Sequence, residues 1–153
     1  MDANDNAAPA QAVAVPAQFD SKSLALAIGA GLGAALAGAA LWAVVTVLSN
    51  YELGIMAVAV GFMVGKSIIA VAGPGVRVLG IVGAVCSLVG CLLGNLLSAV
   101  GFLAQANTVS YFDALGRLDP TLAVKLMTVT FSPIDLIFYA IGIYEGYRFA
   151  VRK

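Results

Sequence analysis

The chain has 153 residues, of which 61% are hydrophobic and only 10% charged. A water-soluble domain carries about a quarter of its residues as charges, so this one lacks the polar surface to cover its own core, and lipid must be part of its solvent. Eight basic and eight acidic residues cancel, which leaves neither the basic excess that binds nucleic acid nor an acidic solvating tail.

Residues 1–22 are rich in Ala, Pro, Gln and Asp and sustain no apolar period; they read as a flexible tail. The acidic start and the length of the apolar run that follows argue against a secretory leader. From there the sequence predicts an all-α membrane domain over 23–153: a four-transmembrane-helix bundle with a short interfacial helix between spans three and four.

The first span, about 24–48, is uncharged throughout and exceeds the roughly 20 residues that a hydrocarbon core requires. Trp42 near its far end suits the membrane interface. A turn at Ser49-Asn50-Tyr51-Glu52 leads to the second span, about 53–72, interrupted only by Lys66. Gly73-Pro74-Gly75 ends it, since Pro lacks a donor and Gly accepts turn geometry.

The third span, about 76–104, is longer than one crossing needs, so it tilts or emerges from the bilayer. The stretch 105–131 is more polar. Asp119-Pro120 within it reads as a helix start, and Leu122, Leu126 and Val129 then share a face, as in an interfacial helix. A re-entrant segment is the alternative for 107–131. The fourth span, about 133–151, opens on Ser132-Pro133-Ile134-Asp135: a capping serine, a first-turn proline, and a carboxylate at the positive end of the helix dipole.

Basic residues set the expected orientation. Lys22 precedes span one, Arg77 sits between spans two and three, and Arg148, Arg152 and Lys153 close the chain. The positive-inside rule therefore places both termini in the cytoplasm of a multi-pass protein of the bacterial plasma membrane.

Every span carries small residues four apart: Gly29 and Gly33, Gly61 and Gly65, Gly90 and Gly94, Gly142 and Gly146. In lipid, helices associate mainly by close backbone approach and packing, so these pairs are candidate helix-packing positions. They serve either the bundle itself or a face for self-association.

Five polar groups fall within the apolar spans: Lys66, Asn95, Asp135, Glu145 and Arg148. A Lys at a helix centre costs about 2.5–3.5 kcal/mol on insertion scales. Lys66 and Glu145 both lie roughly 18–20 Å along from the outer starts of their spans, at 1.5 Å per residue. Two readings stand: an interhelical Lys66–Glu145 pair, or a snorkelling Lys66 with Glu145 bound to Arg148. Asn95 and Asp135 fall on the same side of the membrane and are able to approach each other, with packing glue the plainer role for Asn95.

No motif for chemistry appears. The chain has no histidine, hence neither the commonest general base nor the commonest metal ligand. Cys86 and Cys91 are about 140° apart on a helix and read as small packing residues. The glycines from Gly29 to Gly33 sit in an uninterrupted apolar run, which is no setting for a phosphate loop. The expectation is no enzyme, with no catalytic, cofactor or metal residues.

The stretch Tyr51-Glu52-Leu53-Gly54 through Gly61-Phe62-Met63-Val64-Gly65-Lys66, with Asp135-Leu136-Ile137-Phe138-Tyr139-Ala140-Ile141-Gly142 near the end, resembles a small bacterial family of uncharacterised four-helix integral membrane proteins. That family shows a tyrosine-glutamate-x-glycine turn followed by a glycine-rich second span, and its proteins often look apolar where Lys66 stands here. The resemblance implies a plasma-membrane protein and no particular activity. The expected function is therefore a non-enzymatic membrane subunit or scaffold whose partners are the lipid bilayer and either its own copies or a larger complex. A small channel or transporter using Lys66 and Glu145 is the alternative, and an enzyme acting on lipid is the weakest reading.

Overall fold

The computed structural model describes residues 20–51, 53–73 and 76–152. The segment before Asp20, Glu52 of the first turn, Pro74 and Gly75, and Lys153 lie outside the described residues, and with them most of the expected N-terminal tail. All regular structure among the described residues is helical: α1 (Ser21–Ser49), α2 (Met56–Ala72), α3 (Arg77–Ala106), α4 (Tyr111–Gly116), α5 (Pro120–Thr130) and α6 (Pro133–Val151).

Helix ends follow local chemistry. Asn50 closes α1 in the left-handed region at φ 56°, a conformation that asparagine tolerates better than most residues. Gly73 stops α2 at φ 74°, its N–H donating to Ile69 O at 3.0 Å, where a side chain would be strained. The Asp119 carboxylate accepts from Leu122 N at 2.7 Å at the start of α5, with Pro120 in the first turn. At α6 the Asp135 carboxylate accepts from Ser132 N at 2.8 Å.

Four helices build the bundle. α1 packs on α2 and α3, and α6 packs on the same two, so α1 and α6 stand at opposite corners with α2 and α3 touching between them. The seam of α1 is Ala27, Gly31, Ala35, Gly38, Trp42 and Thr46. Large apolar side chains point away from the bundle instead: Leu26, Leu36, Leu41, Val44 and Leu48 on α1, and Ile134, Leu136 and Ile137 on α6, are exposed. Small residues inside and bulky apolar residues outside is the arrangement that acyl chains solvate and water does not.

α1 and α3 are each long and apolar enough to cross a membrane. α2, with 17 residues, is apolar but shorter. α6 holds three charged residues, Asp135, Glu145 and Arg148; it meets the same standard only together with α5, to which it is bent by 102°. By length and composition the fold therefore contains two such helices, or three if the bent pair is one span.

The excess length of α3 carries a second, smaller core. Val100 and Ala104 on its last turns pack with Ala114 of α4 and with Val109, Tyr111 and Leu126. Helix α4 was not anticipated, because a six-residue helix has no room to display an apolar period. No residue of α5 is fully buried.

A candidate polar site at one end of the bundle

Four of the buried polar residues, all but Ser87, gather where α1 ends and α6 begins. Thr46 lies in the last turns of α1, Asn95 and Ser98 one helical turn apart on α3, and Asp135 in the first turn of α6. All four are buried, at 0%, 8%, 3% and 7% exposure. Together with Trp42, Leu53 and Gly54 they line a cavity of about 10 Å³. Asn95 and Asp135, placed by sequence on the same side of the membrane, thus share one cavity.

The partners at this site divide unevenly. The Thr130 hydroxyl shares its one proton between Asn95 Oδ1 at 3.1 Å and Leu126 O at 2.9 Å. The Ser98 hydroxyl donates to Gly94 O at 2.7 Å. The Asp135 carboxylate takes the Ser132 N–H. The Thr46 hydroxyl, fully buried, has no hydrogen-bond partner among the described residues. Thr46, Ser98 and Thr130 did not stand out in the sequence, since hydroxyls within apolar helices usually bond their own backbone; only the fold shows that Thr46 departs from this.

Trp42 walls the site and is itself held by aromatic contacts. Trp42 meets Tyr139 edge-on at 6.4 Å, reaching from α1 toward α6. Tyr139 donates to Cys91 O at 3.3 Å. Phe131 in turn stands edge-on to Tyr139 at 6.0 Å.

Lys66 and Glu145 do not meet. Glu145 pairs with Arg148 one turn along α6, at 3.5 Å. Lys66 Nζ instead sits 5.8 Å from the Phe62 ring centroid and 5.5 Å from that of Phe149, within cation–π range. Lys66 is exposed on the outer surface of the bundle, so its long side chain turns outward along the two rings, Phe149 of α6 among them, rather than toward Glu145.

The glycines also separate. Gly61 lies against the Gly142 backbone, Gly65 against Gly146 and Phe149, Gly90 against Ala35 and Val60, and Gly94 against Trp42. Gly29 and Gly33 pack on nothing among the described residues: a Cβ at either would meet none of their atoms within 4 Å beyond the adjacent backbone of α1. On α1 the positions that pack are Gly31 and Gly38. An all-apolar helix does not advertise which of its small-residue stripes faces inward, and the stripe that continues to Trp42 and Thr46 is the one that buries a large ring.

Elsewhere, an apolar groove of about 400 Å³ runs along Ala40, Val44, Val47, Leu97 and Tyr111. Tyr111 donates to Leu97 O at 3.2 Å, and burial pushes its phenol pKa up. Among the described residues there is no group of three or more side chains suited to hold a metal ion. No family model, no curated protein and no solved structure matches the chain. With one carboxylate, one amide and hydroxyls, the polar site is equipped to hydrogen-bond a small guest, and Asp135 is the one carboxylate among the described residues that line it.

Proposed function

We propose that the chain is a non-enzymatic, four-span subunit of the bacterial plasma membrane that associates with further copies of itself through the outer face of α1. The open space at Gly29 and Gly33 carries this reading. The matching glycine pairs of α2, α3 and α6 are consumed inside the bundle, whereas Ala25, Gly29, Gly33 and Ala37 form an exposed stripe of small residues at four-residue spacing. In lipid such a stripe allows two backbones to approach closely.

Several observations support four crossings. At 1.5 Å per residue, α2 spans roughly 26 Å, close to the hydrocarbon thickness of a thin bilayer. The charged residues of α6 cluster toward its two ends, with Asp135 in the first turn and Glu145 and Arg148 in the last two. Because α5 is bent by 102° from α6 and buries no residue completely, it suits the interface plane when α6 crosses. Lys22, Arg77, Arg148 and Arg152 favour cytoplasmic termini. The channel reading finds less support, because Lys66 faces outward, Glu145 is engaged by Arg148, and Asn95 and Asp135 line a cavity too small for a route.

The test is the oligomeric state of the full chain in mild detergent and after crosslinking in membranes. Wild type is expected to run as a dimer or higher oligomer, and Gly29→Leu with Gly33→Leu as a monomer of unchanged helicity. A strictly monomeric wild type overturns the proposal.

A further inference from the structure

We propose that the cavity lined by Trp42, Thr46, Asn95, Ser98 and Asp135 binds a single water molecule, and that this water is the polar link joining α1 to α6. The volume, about 10 Å³, is close to the smallest that admits one water. A buried water is held where polar groups offer it two to four hydrogen bonds, and this lining offers both kinds. The Thr46 hydroxyl, 0% exposed and without a partner among the described residues, supplies a donor. The Asn95 amide nitrogen supplies another, since its oxygen already serves Thr130. The Asp135 carboxylate accepts, having lone pairs beyond the one that takes the Ser132 N–H.

The lining mixes donors and acceptors, which suits a guest that does both. A metal cation needs several oxygens presenting lone pairs, and the Asn95 oxygen is already engaged by Thr130. The N-terminus of α6 beside Asp135 adds positive potential. Water alone accepts from Thr46 and donates to Asp135 at once. The placement also gives it a role: the backbones of α1 and α6 do not approach each other, so Thr46–water–Asp135 is a polar connection across the diagonal, beside the Trp42–Tyr139 ring contact.

The sign of one substitution tests this. If the Thr46 hydroxyl were an orphan in a dry site, Thr46→Val would remove an unsatisfied polar group and stabilise the protein. If it holds water, the same change strands the guest and destabilises. Thermal unfolding of the full chain in detergent should show Thr46→Val lowering the midpoint by roughly 2–4 °C, Thr46→Ser retaining most of it, and Asp135→Asn with Thr46→Val falling short of the sum of the single effects. A Thr46→Val midpoint equal to or above wild type, or fully additive changes, overturns the proposal. Replacing Na⁺ by N-methyl-D-glucamine at equal ionic strength should leave the wild-type midpoint unchanged; a drop that Thr46→Val lacks would identify a monovalent cation and overturn water. A high-resolution crystal structure of wild type grown in a lipid phase reads the site without any variant: density within hydrogen-bond distance of Thr46 Oγ1 and Asp135 supports it, and a bare cavity refutes it.

Discussion

Gly61 and Gly142 bring the backbones of α2 and α6 into direct contact: a methyl group on Gly61 would fall on the Gly142 carbonyl, and one on Gly142 would fall on the Ala57 carbonyl. The obstacle is main chain in both directions, which no rotamer change relieves. Gly61→Val or Gly142→Val should therefore force the helices apart at a cost of about 1–3 kcal/mol, read as a lower unfolding midpoint in detergent. Gly33→Ala, facing open space, should leave the midpoint of the monomeric bundle unchanged. A tolerated Gly142→Val would contradict the close crossing.

Lys66 and Glu145 should be energetically independent. Glu145 is held by an Arg148 side chain that is itself 45% exposed, so Glu145→Gln is expected to cost no more than about 1 kcal/mol. A double-mutant cycle of Lys66→Met with Glu145→Gln should give a coupling near zero. A coupling well above about 1 kcal/mol would restore an interhelical pair.

Trp42 is the largest ring in the main core and lies against Gly94 and Tyr139. Thermal unfolding of Trp42→Ala should show a loss of about 3–5 kcal/mol, from burial given up and a cavity left behind. Tyr139→Phe, which removes only the hydroxyl bonded to Cys91 O, should lose about 0.5–1.5 kcal/mol. Equal effects would mean that the ring contact contributes little.

Thr108 sits at φ 54° between α3 and α4, a region that β-branched residues rarely occupy. Thr108→Asn should relieve part of this strain and stabilise by about 1 kcal/mol, raising the unfolding midpoint. A fall in the midpoint would show that the threonine side chain contributes more than its backbone costs.

Much of the helical framework was legible from composition and punctuation. Long apolar runs, the Gly73 stop and the Asp119-Pro120 and Ser132-Pro133 starts locate α1, α3, α5 and α6 to within a few residues. The start of α2 was less clear: Leu53–Ile55 precede the helix as a turn, though nothing in their side chains distinguishes them from span residues. Depth along a helix also proved a poor guide to pairing. Lys66 and Glu145 match in depth yet face different surroundings, because a residue's bearing around the helix axis decides its neighbours, and an all-apolar helix carries no period from which to read that bearing.

By itself the sequence determined the solvent and the secondary structure. So many apolar residues with so few charges demand lipid, and apolar backbone in lipid must satisfy its hydrogen bonds within helices. Tertiary structure decided which stripe of each helix turns inward: Gly31 and Gly38 rather than Gly29 and Gly33, and Thr46 toward Asp135. Small residues lie on several sides of these helices, and packing against a particular neighbour, not hydrophobicity, is what selects among them.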